Sequence, residues 1–420
     1  MSERFSHNPS TDGWPFRAAL GLLFIGFLVT PLSQIPGMRD GSLSNLALNG
    51  IFVAAFVFLL VCVGEKLLQV RFIWLASLAL IFASYCLLMN AYFSEGYLNG
   101  TYFNAVFMSF FFYMLGTMAN GMITERDLKR LLTAYFVGAV ITAIFIMSTV
   151  YTGLGNWLNN PFYSYGSKNS ISIIAATAVI SVLFYAKPRS KLLRALELGG
   201  CAYLLFFLLI MQSRLAIIGL AAAILFHAFF VSKYRARWII SIVLVVSVIL
   251  VVDSAREIFI KAMRMGEDIY SPEGQTRLDA ISSGRFTLID RAMETIANNP
   301  LFGTGKYYVD MMYISITAEM GLIGAILPLA ALLAVFFQNL KRWFVGPKSI
   351  RPITSLLAML TLQFAVESFG EGLQPFGPGT TVILFWFLSA YVWQISLKTT
   401  DNTETNTSPK EVTKEAALHE

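Results

Sequence analysis

Long apolar stretches alternate with short polar ones along almost the whole chain. Stretches of about 18 or more apolar residues recur, and a bilayer core requires an α-helix of roughly 20 residues. Strict alternation of apolar and polar residues, the pattern of a membrane-spanning β-strand, is absent. The pattern therefore predicts an all-α polytopic membrane protein with about twelve transmembrane helices. The predicted cores of these helices are 16–35, 45–63, 72–92, 102–119, 131–151, 169–186, 195–212, 214–232, 237–253, 312–338, 352–369 and 379–397.

The polar stretches divide the chain into five parts. We expect 1–15 to be a cytoplasmic N-terminal tail, 16–253 to hold transmembrane helices one to nine, 254–308 to be a large periplasmic loop, 309–398 to hold the last three spans, and 399–420 to be a disordered cytoplasmic tail. The N-terminal residues are too polar for a signal peptide and show no small-residue cleavage pattern. The first apolar stretch is therefore expected to be a retained helix.

Lysine and arginine are concentrated in alternate loops. Cytoplasmic loops of membrane proteins carry an excess of these two residues. If the N-terminus is cytoplasmic, every short inside loop is basic, whereas the outside stretches NAYFSEGYLNGTYFN and SFGEGLQPFGPGTT contain neither residue. The sequence thus predicts a multi-pass membrane protein with both termini in the cytoplasm.

Composition agrees with a membrane protein and narrows the classes of function. Hydrophobic residues make up 56% of the chain and charged residues 13%, against about 25% charged in soluble domains. The net charge of +6 does not indicate nucleic acid, because the basic residues lie in loops that orient the chain. Cys62, Cys86 and Cys201 lie inside apolar stretches, where packing is their expected role. No residue spacing suggests a disulfide or a metal site, so no metal or other cofactor is predicted.

The 254–308 loop departs from the charge pattern, because it is predicted to be outside and yet carries many cations. Long loops cross the membrane despite positive charge, so the predicted orientation is unaffected. Guanidinium and ammonium groups close to the lipid suit a lipid-linked phosphate or an acidic sugar. The cations of this loop are Arg256, Lys261, Arg264, Arg277, Arg285, Arg291 and Lys306.

Two segments of this loop have the pattern of amphipathic helices that lie on the membrane surface. The first, DSAREIFIKAMRMG, has one apolar face and a stop signal at Gly266. In the second, SSGRFTLIDRAMETIANNP, an apolar stripe follows Ser283, a candidate N-cap, and ends before Pro300. In the following LFGTGK stretch, Gly303 and Gly305 permit either a turn whose N–H groups bind an anion or simply a tight turn before the tenth span.

The motifs of this region follow one another in a distinctive order. A Gly-Arg pair at Gly284-Arg285 precedes a helix, an Asn-Pro-Leu-x-Gly-x-Gly turn at 299–305 and a Glu-x-Gly-x-x-Gly motif at 319–324. This order resembles the O-antigen ligase/polymerase family of bacterial envelope glycosyltransferases. Ser213-Arg214 in QSRLA and Asn169 in YGSKNSIS are similar to further pieces of the family pattern. The resemblance covers about 160–395.

The resemblance implies a GT-C-like enzyme of the bacterial inner membrane that transfers a glycan with inversion and without a metal. The implied donor is a glycan on undecaprenyl diphosphate, the acceptor is a sugar hydroxyl, and the lipid diphosphate leaves. Implied partners are these lipid-linked glycans and membrane lipid, with a chain-length regulator and a flippase as further candidates. Nucleic acid is not among them.

One position departs from the ligases of the family. They place a His-Asn pair nine residues before the Glu of Glu-x-Gly-x-x-Gly, and this His is regarded as their catalytic base. Here the pair is Asp310-Met311, while His7 and His419 lie in the predicted cytoplasmic tails and His227 near the inner end of a span. We therefore favour a polysaccharide polymerase for O-antigen, capsule or exopolysaccharide. The alternative is a ligase that transfers glycan to lipid A-core or protein, and a flippase ranks third because no internal repeat is evident.

The resemblance and residue chemistry together assign roles. Arg214 and Arg285 are predicted to bind the diphosphate, and Asp310 to act as the general base. The alternatives are a snorkelling Arg214, a surface position for Arg285 and a helix N-cap at Asp310. Predicted substrate-binding residues are Lys306, Asn169, Glu319, Gly303, Gly305 and Glu367. Glu319 is also expected either to bond to another span, which is the favoured alternative, or to act as a second proton acceptor. Glu367 and Glu371 either bind sugar or pair with the arginines.

Overall fold

The computed structural model describes residues 13–38, 42–63, 70–93, 96–98, 100–150, 168–186, 188, 190–263, 285–377 and 382–393. This part of the chain is built from helices, which confirms the predicted all-α class. Several predicted features lie outside the described residues. They are most of the N-terminal tail, the C-terminal tail, Ser283, Gly284, Arg264, Arg277 and the connection 151–167.

Fourteen helices follow one another in the described residues. They are α1 Trp14–Leu32, α2 Ser42–Val63, α3 Val70–Phe93, α4 Thr101–Ala119, α5 Glu125–Thr149, α6 Lys168–Phe184, α7 Lys191–Met211, α8 Arg214–Phe226, α9 Arg235–Val251, α10 Asp253–Ala262, α11 Arg285–Asn298, α12 Met312–Val345, α13 Arg351–Ser368 and α14 Ile383–Trp393. A π-helical turn, His227–Val231, extends α8, and a short 3₁₀ turn, Lys348–Ile350, precedes α13.

The lengths and composition of the helices fit a polytopic membrane protein. Nine described helices are long and apolar enough to cross a bilayer, α9 and α10 form a pair bent by 94°, and α6 and α14 are shorter apolar helices. Each of the twelve predicted cores overlaps a described helix. How many of these helices cross the membrane, and the division into tails, spans and periplasmic loop, stay predictions.

One group of helices forms the tightly packed centre that positions the candidate site. The helix α13 packs against α6, α8 and α12, and α6 also packs against α5, α7 and α8. Every residue from Ile171 to Val182 on α6 is buried. By contrast, α9 buries none of its residues, all of which the structure describes, so its apolar side chains are placed for contact with lipid.

The turn after α11 is locked to α12 through backbone hydrogen bonds. Gly321 breaks the helical geometry of α12 with φ 69° and ψ 175°. The N–H groups of Thr304 and Gly305 donate to the carbonyls of Ala318 and Glu319, at 3.0 and 2.8 Å. In return, the N–H of Leu322 donates to the carbonyl of Pro300 at 2.9 Å. We call this arrangement, residues 300–305 with 318–323, the glycine clasp.

Candidate active site

Arg285, the first residue of α11, lies between two carboxylates that are distant in sequence. Its Nη2 is 3.3 Å from Oδ2 of Asp310 and 3.9 Å from Oε1 of Glu371. Asp310 stands before α12, and Glu371 follows α13. We call these three residues, together with Asn169, Ser213 and Tyr308, the Arg285 cluster. The cluster draws on α6, α8, α11, α12 and α13, so it forms only when the bundle is assembled.

Glu371 is held in place from two sides. Its backbone N–H donates to the carbonyl of Glu367 at 2.9 Å, which extends the last turn of α13. Its carboxylate accepts a hydrogen bond from the side chain of Asn169. The Ser213 hydroxyl in turn lies 3.4 Å from the Asn169 side-chain oxygen and donates to it. Asn169 therefore links the starts of α6 and α8 to the carboxylate.

Burial controls the acidity of Glu371, whose residue is only 8% exposed. It raises the pKa of Glu371 to about 7, and the negative charge of Asp310 adds to the effect. The positive charges of Arg285 and Lys168 and the Asn169 hydrogen bond oppose this shift in the pKa without cancelling it. A carboxyl group with such a pKa exchanges its proton near neutral pH.

Asp310 has partners that differ from those of a helix cap. The N-cap of α12 is Met311, and no side chain caps that helix, so Asp310 does not act as its N-cap. Instead, Asp310 pairs with Arg285 and makes a side-chain hydrogen bond with Tyr308. About a third of the Asp310 side chain is exposed, which leaves it accessible from the surface.

The two predicted phosphate-binding arginines lie at the same end of the bundle. Arg214 is half-buried and begins α8, directly after Ser213 of the cluster. A Cβ placed on Gly370 would lie 3.0 Å from Nη1 of Arg285 and would overlap the side chain of Leu215. The start of α8 and the Arg285 guanidinium therefore meet around Gly370.

Glu319 has the contacts of an internal helix cap. Its carboxylate is fully buried and accepts backbone hydrogen bonds from Thr101, from Tyr102 at 2.9 Å and from Tyr307 at 3.4 Å. The N-cap residue of α4, Gly100, has no side chain to satisfy the amides of Thr101 and Tyr102, so Glu319 supplies the acceptor from α12. This geometry supports the bond to another span, and a substrate-binding role for Glu319 has no support in it.

Glu367 lies one helical turn below Glu371 and is fully buried. Its Oε1 accepts a hydrogen bond from Gln363 at 3.0 Å, and Gln363 also donates to Thr177 of α6 at 3.1 Å. Among the residues that the structure describes, its Oε2 has no hydrogen-bond partner. The polar face of α13 thus continues from the cluster into the bundle, but Glu367 itself is not on the surface.

The glycine clasp uses the backbone N–H groups of Gly303 and Gly305 that were predicted to bind an anion. The N–H groups of Gly303, Thr304 and Gly305 all donate to backbone carbonyls, which supports the tight-turn alternative. Lys306 is exposed, and its Cβ would lie 3.5 Å from a Cβ placed on Gly96, on the side of the α3–α4 connection. The described contacts do not connect Lys306 to the Arg285 cluster.

Two other features lie away from the cluster. His227 packs between Phe184 and Trp238, with ring centroids 4.2 and 5.1 Å away, as expected for a packed histidine. A cavity of about 1300 Å³ lies between α1, α5 and α7, and Arg126 and Lys129 are among the residues that line it. This is the predicted cytoplasmic end, and none of the cluster residues lines the cavity.

Comparison with known families gives the cluster its context. The family model for O-antigen ligase matches residues 199–329, a segment that contains Arg214, Arg285, Asp310 and Glu319. The match supports an O-antigen ligase/polymerase family for this chain. Members of this family are glycosyltransferase-like enzymes, and the match does not separate polymerases from ligases. No curated protein matches the chain at a significant level.

The structure adds residues that sequence analysis had not placed in the site. Glu371 was open between sugar binding and pairing with an arginine, and it pairs with Arg285. Tyr308 and Lys168 had no predicted role, and both act on the carboxylates of the cluster. The spacing of four residues between Glu367 and Glu371 could have indicated that the two carboxylates lie close together, because residues four apart share one face of a helical turn.

Proposed function

We propose that the protein is a polysaccharide polymerase that joins undecaprenyl-diphosphate-linked repeat units on the periplasmic face of the bacterial inner membrane. The observation that carries this proposal is the Arg285 cluster, in which one guanidinium meets two carboxylates at the predicted outer end of the bundle. The family match supports glycosyl transfer, and the cluster supplies an acid–base group together with a phosphate-binding group.

In the proposed reaction the acceptor hydroxyl oxygen attacks the anomeric carbon of the donor glycan from the face opposite the diphosphate. The new C–O bond forms as the bond to the diphosphate oxygen breaks, and the electron pair leaves with undecaprenyl diphosphate. A carboxylate of the cluster takes the hydroxyl proton. The anomeric configuration is inverted because the transfer is a single displacement.

Arginine is suited to the charge that develops on the leaving diphosphate. A guanidinium stays protonated and binds two phosphate oxygens at once. Arg285 is balanced by Asp310 and Glu371 in the free protein, so donor binding requires it to exchange a carboxylate contact for a phosphate contact. Arg214, at the start of α8 and close to the same place, is the second proposed phosphate ligand.

The polymerase is favoured over the ligase by the residue at the position of the ligases' histidine. Here that residue is Asp310, which is in contact with Arg285. Among the described residues the one histidine is His227, which packs against aromatic rings away from the Arg285 cluster, and His7 and His419 belong to the predicted cytoplasmic tails. A ligase that uses a carboxylate in place of the histidine remains the second candidate.

Deletion of the gene, followed by gel analysis of surface glycans, tests the proposal. A polymerase mutant is expected to keep a single repeat unit on the core and to lose all long chains. Free polymer with a bare core would instead indicate a ligase, and repeat units trapped on the cytoplasmic side a flippase.

Complementation of the deletion strain tests the cluster itself. Arg285→Ala is expected to lower the yield of long chains by at least 100-fold, because loss of one group that stabilises developing charge costs about 10²–10³ in rate. Arg291→Ala, on an exposed position of the same helix α11, is the matched control and is expected to restore full-length chains. Normal chain lengths with Arg285→Ala would place the active site elsewhere.

A further inference from the structure

We infer that Glu371, rather than Asp310, accepts the proton of the attacking hydroxyl. The inference rests on the proposed glycosyl transfer and assigns one of its steps to a residue outside the segment that the family model matches. It follows from the different surroundings of the two carboxylates that share Arg285.

The first difference is in how strongly each carboxylate is compensated. Asp310 is the nearer of the two to the guanidinium, at 3.3 Å, and also has a hydrogen bond with the Tyr308 hydroxyl. Glu371 is farther from Nη2, at 3.9 Å, and its other side-chain hydrogen bond comes from the neutral Asn169 amide. The two carboxylates share one guanidinium, and Glu371 interacts with it more weakly than Asp310 does because it lies farther away.

The second difference is burial. The Glu371 side chain is 11% exposed, whereas that of Asp310 is 32% exposed. A buried carboxylate binds a proton more readily, and burial raises the pKa of Glu371 to about 7 although Arg285 and Lys168 act against the shift. A general base is most effective when its pKa is close to the working pH.

The geometry also separates the tasks of the two residues when a diphosphate arrives. Arg285 can turn toward phosphate by giving up the longer contact, to Glu371, while the shorter contact to Asp310 keeps the guanidinium oriented. The Glu371 oxygen is then free to accept the hydroxyl proton as the glycosidic bond forms and the diphosphate leaves. Water removes the proton from Glu371 after the product moves on.

The pH dependence of this step is set by the charged and titratable groups around Glu371. They are Arg285 on α11, Asp310 and Tyr308 before α12, Lys168 on α6, and Glu367 on α13. As pH falls through the pKa of Glu371, the base becomes protonated and inactive. The rate is therefore expected to fall about 10-fold per pH unit below pH 7, because one proton inactivates one base.

The test uses the full-length protein in lipid nanodiscs with an undecaprenyl-diphosphate-linked repeat unit as donor and acceptor. Polymer formation is measured between pH 5 and pH 9 for the wild type, Glu371→Gln, Glu371→Asp and Asp310→Asn, with Glu294→Gln as a control on an exposed position of α11. Size-exclusion profiles confirm that each variant is folded.

The expected result separates the two carboxylates. Glu371→Gln lowers kcat by about 10²–10⁴ with little change in KM and removes the decline in rate below pH 7. Glu371→Asp retains part of the rate with the acidic decline still present, and Glu294→Gln behaves as the wild type. Asp310→Asn raises KM for the donor, because Arg285 is less well oriented. It keeps the acidic decline but moves it to lower pH, because the negative charge that helps to raise the pKa of Glu371 is lost.

Two results would overturn the inference, and they differ from failure of the proposed function. If Asp310→Asn loses the acidic decline and Glu371→Gln keeps it, the base is Asp310. If Glu371→Gln and Glu371→Asp both retain the wild-type rate and pH profile, Glu371 takes no proton. If the wild type itself makes no polymer from the lipid-linked donor, the proposed function fails first and the assignment of Glu371 falls with it.

Discussion

The glycine clasp shows how individual residues hold the candidate site in position. Gly303 and Gly321 have φ values of +73° and +69°, which other residues rarely adopt. Their backbones touch, so a Cβ on Gly303 would overlap the amide nitrogen of Gly321, and a Cβ on Gly321 would overlap the carbonyl of Leu301. The clasp fixes the chain between α11 and α12, and therefore the spacing of Arg285 from Asp310.

We predict that Gly303→Ala and Gly321→Ala each destabilise the protein by about 2 kcal/mol or more, through backbone strain and steric overlap. Gly199→Ala is the matched control, because a Cβ there meets nothing within 4 Å and alanine is the better helix former. Thermal unfolding of the three variants in detergent measures the difference. Equal melting temperatures for all three would show that the clasp is not under the constraint we describe.

At the level of single residues, some contacts could be predicted from the sequence and others could not. An acid inside a membrane span is a strong signal, so a bond from Glu319 to another span was foreseeable. Its acceptance of two backbone amides at the start of α4 and a third from Tyr307 was not. Likewise, the pairing of Arg285 with both Asp310 and Glu371 joins residues up to 86 positions apart (371 minus 285). Local patterns carry no information on such distances.

At the scale of elements, α11 is amphipathic as its sequence predicts, but only part of its predicted apolar stripe is buried against the protein. Ala292 is fully buried and α11 packs against α12, whereas Phe286 and Met293 of the predicted stripe are about half exposed. The small residue of the stripe faces the protein, and the large ones are placed for contact with the membrane surface. Periodicity predicts the stripe but does not tell which neighbour each residue meets.

The close contact at Ala292 gives a prediction about this element. Ala292→Phe is expected to overpack the contact of α11, cost about 1–3 kcal/mol of stability and cut polymer yield at least 10-fold by displacing Arg285. Ala297→Phe, an exposed position on the same helix, is expected to change neither. Melting temperature and glycan length are measured for both variants. Normal polymer from a destabilised Ala292→Phe variant would show that the contact at Ala292 does not position Arg285.

At the scale of the whole molecule, the succession of helices was predictable because the bilayer fixes both length and polarity of a span. All twelve predicted cores overlap described helices, and α9 and α10 meet at a 94° bend. The packing of α13 between α6, α8 and α12 was not predictable, because apolar helices of similar composition carry little information on their neighbours. The Arg285 cluster depends on that packing. Sequence analysis assigned Arg285, Asp310 and Asn169 to one site, but it did not predict the contacts between them or the part of Tyr308.

The orientation of the whole molecule decides whether the Arg285 cluster can meet lipid-linked glycans, and it is open to direct test. The basic loops predict that the start of α5 is cytoplasmic and that α11 is periplasmic. In a variant with Cys62, Cys86 and Cys201 replaced by serine, we place single cysteines at exposed positions, Ala297→Cys on α11 and Glu125→Cys on α5. A membrane-impermeant maleimide is expected to label the α11 cysteine in intact spheroplasts and the α5 cysteine only after lysis. The reverse pattern would put the cluster on the cytoplasmic side, where newly made repeat units have not yet crossed the membrane, and polymerisation on the outer face would have to be abandoned.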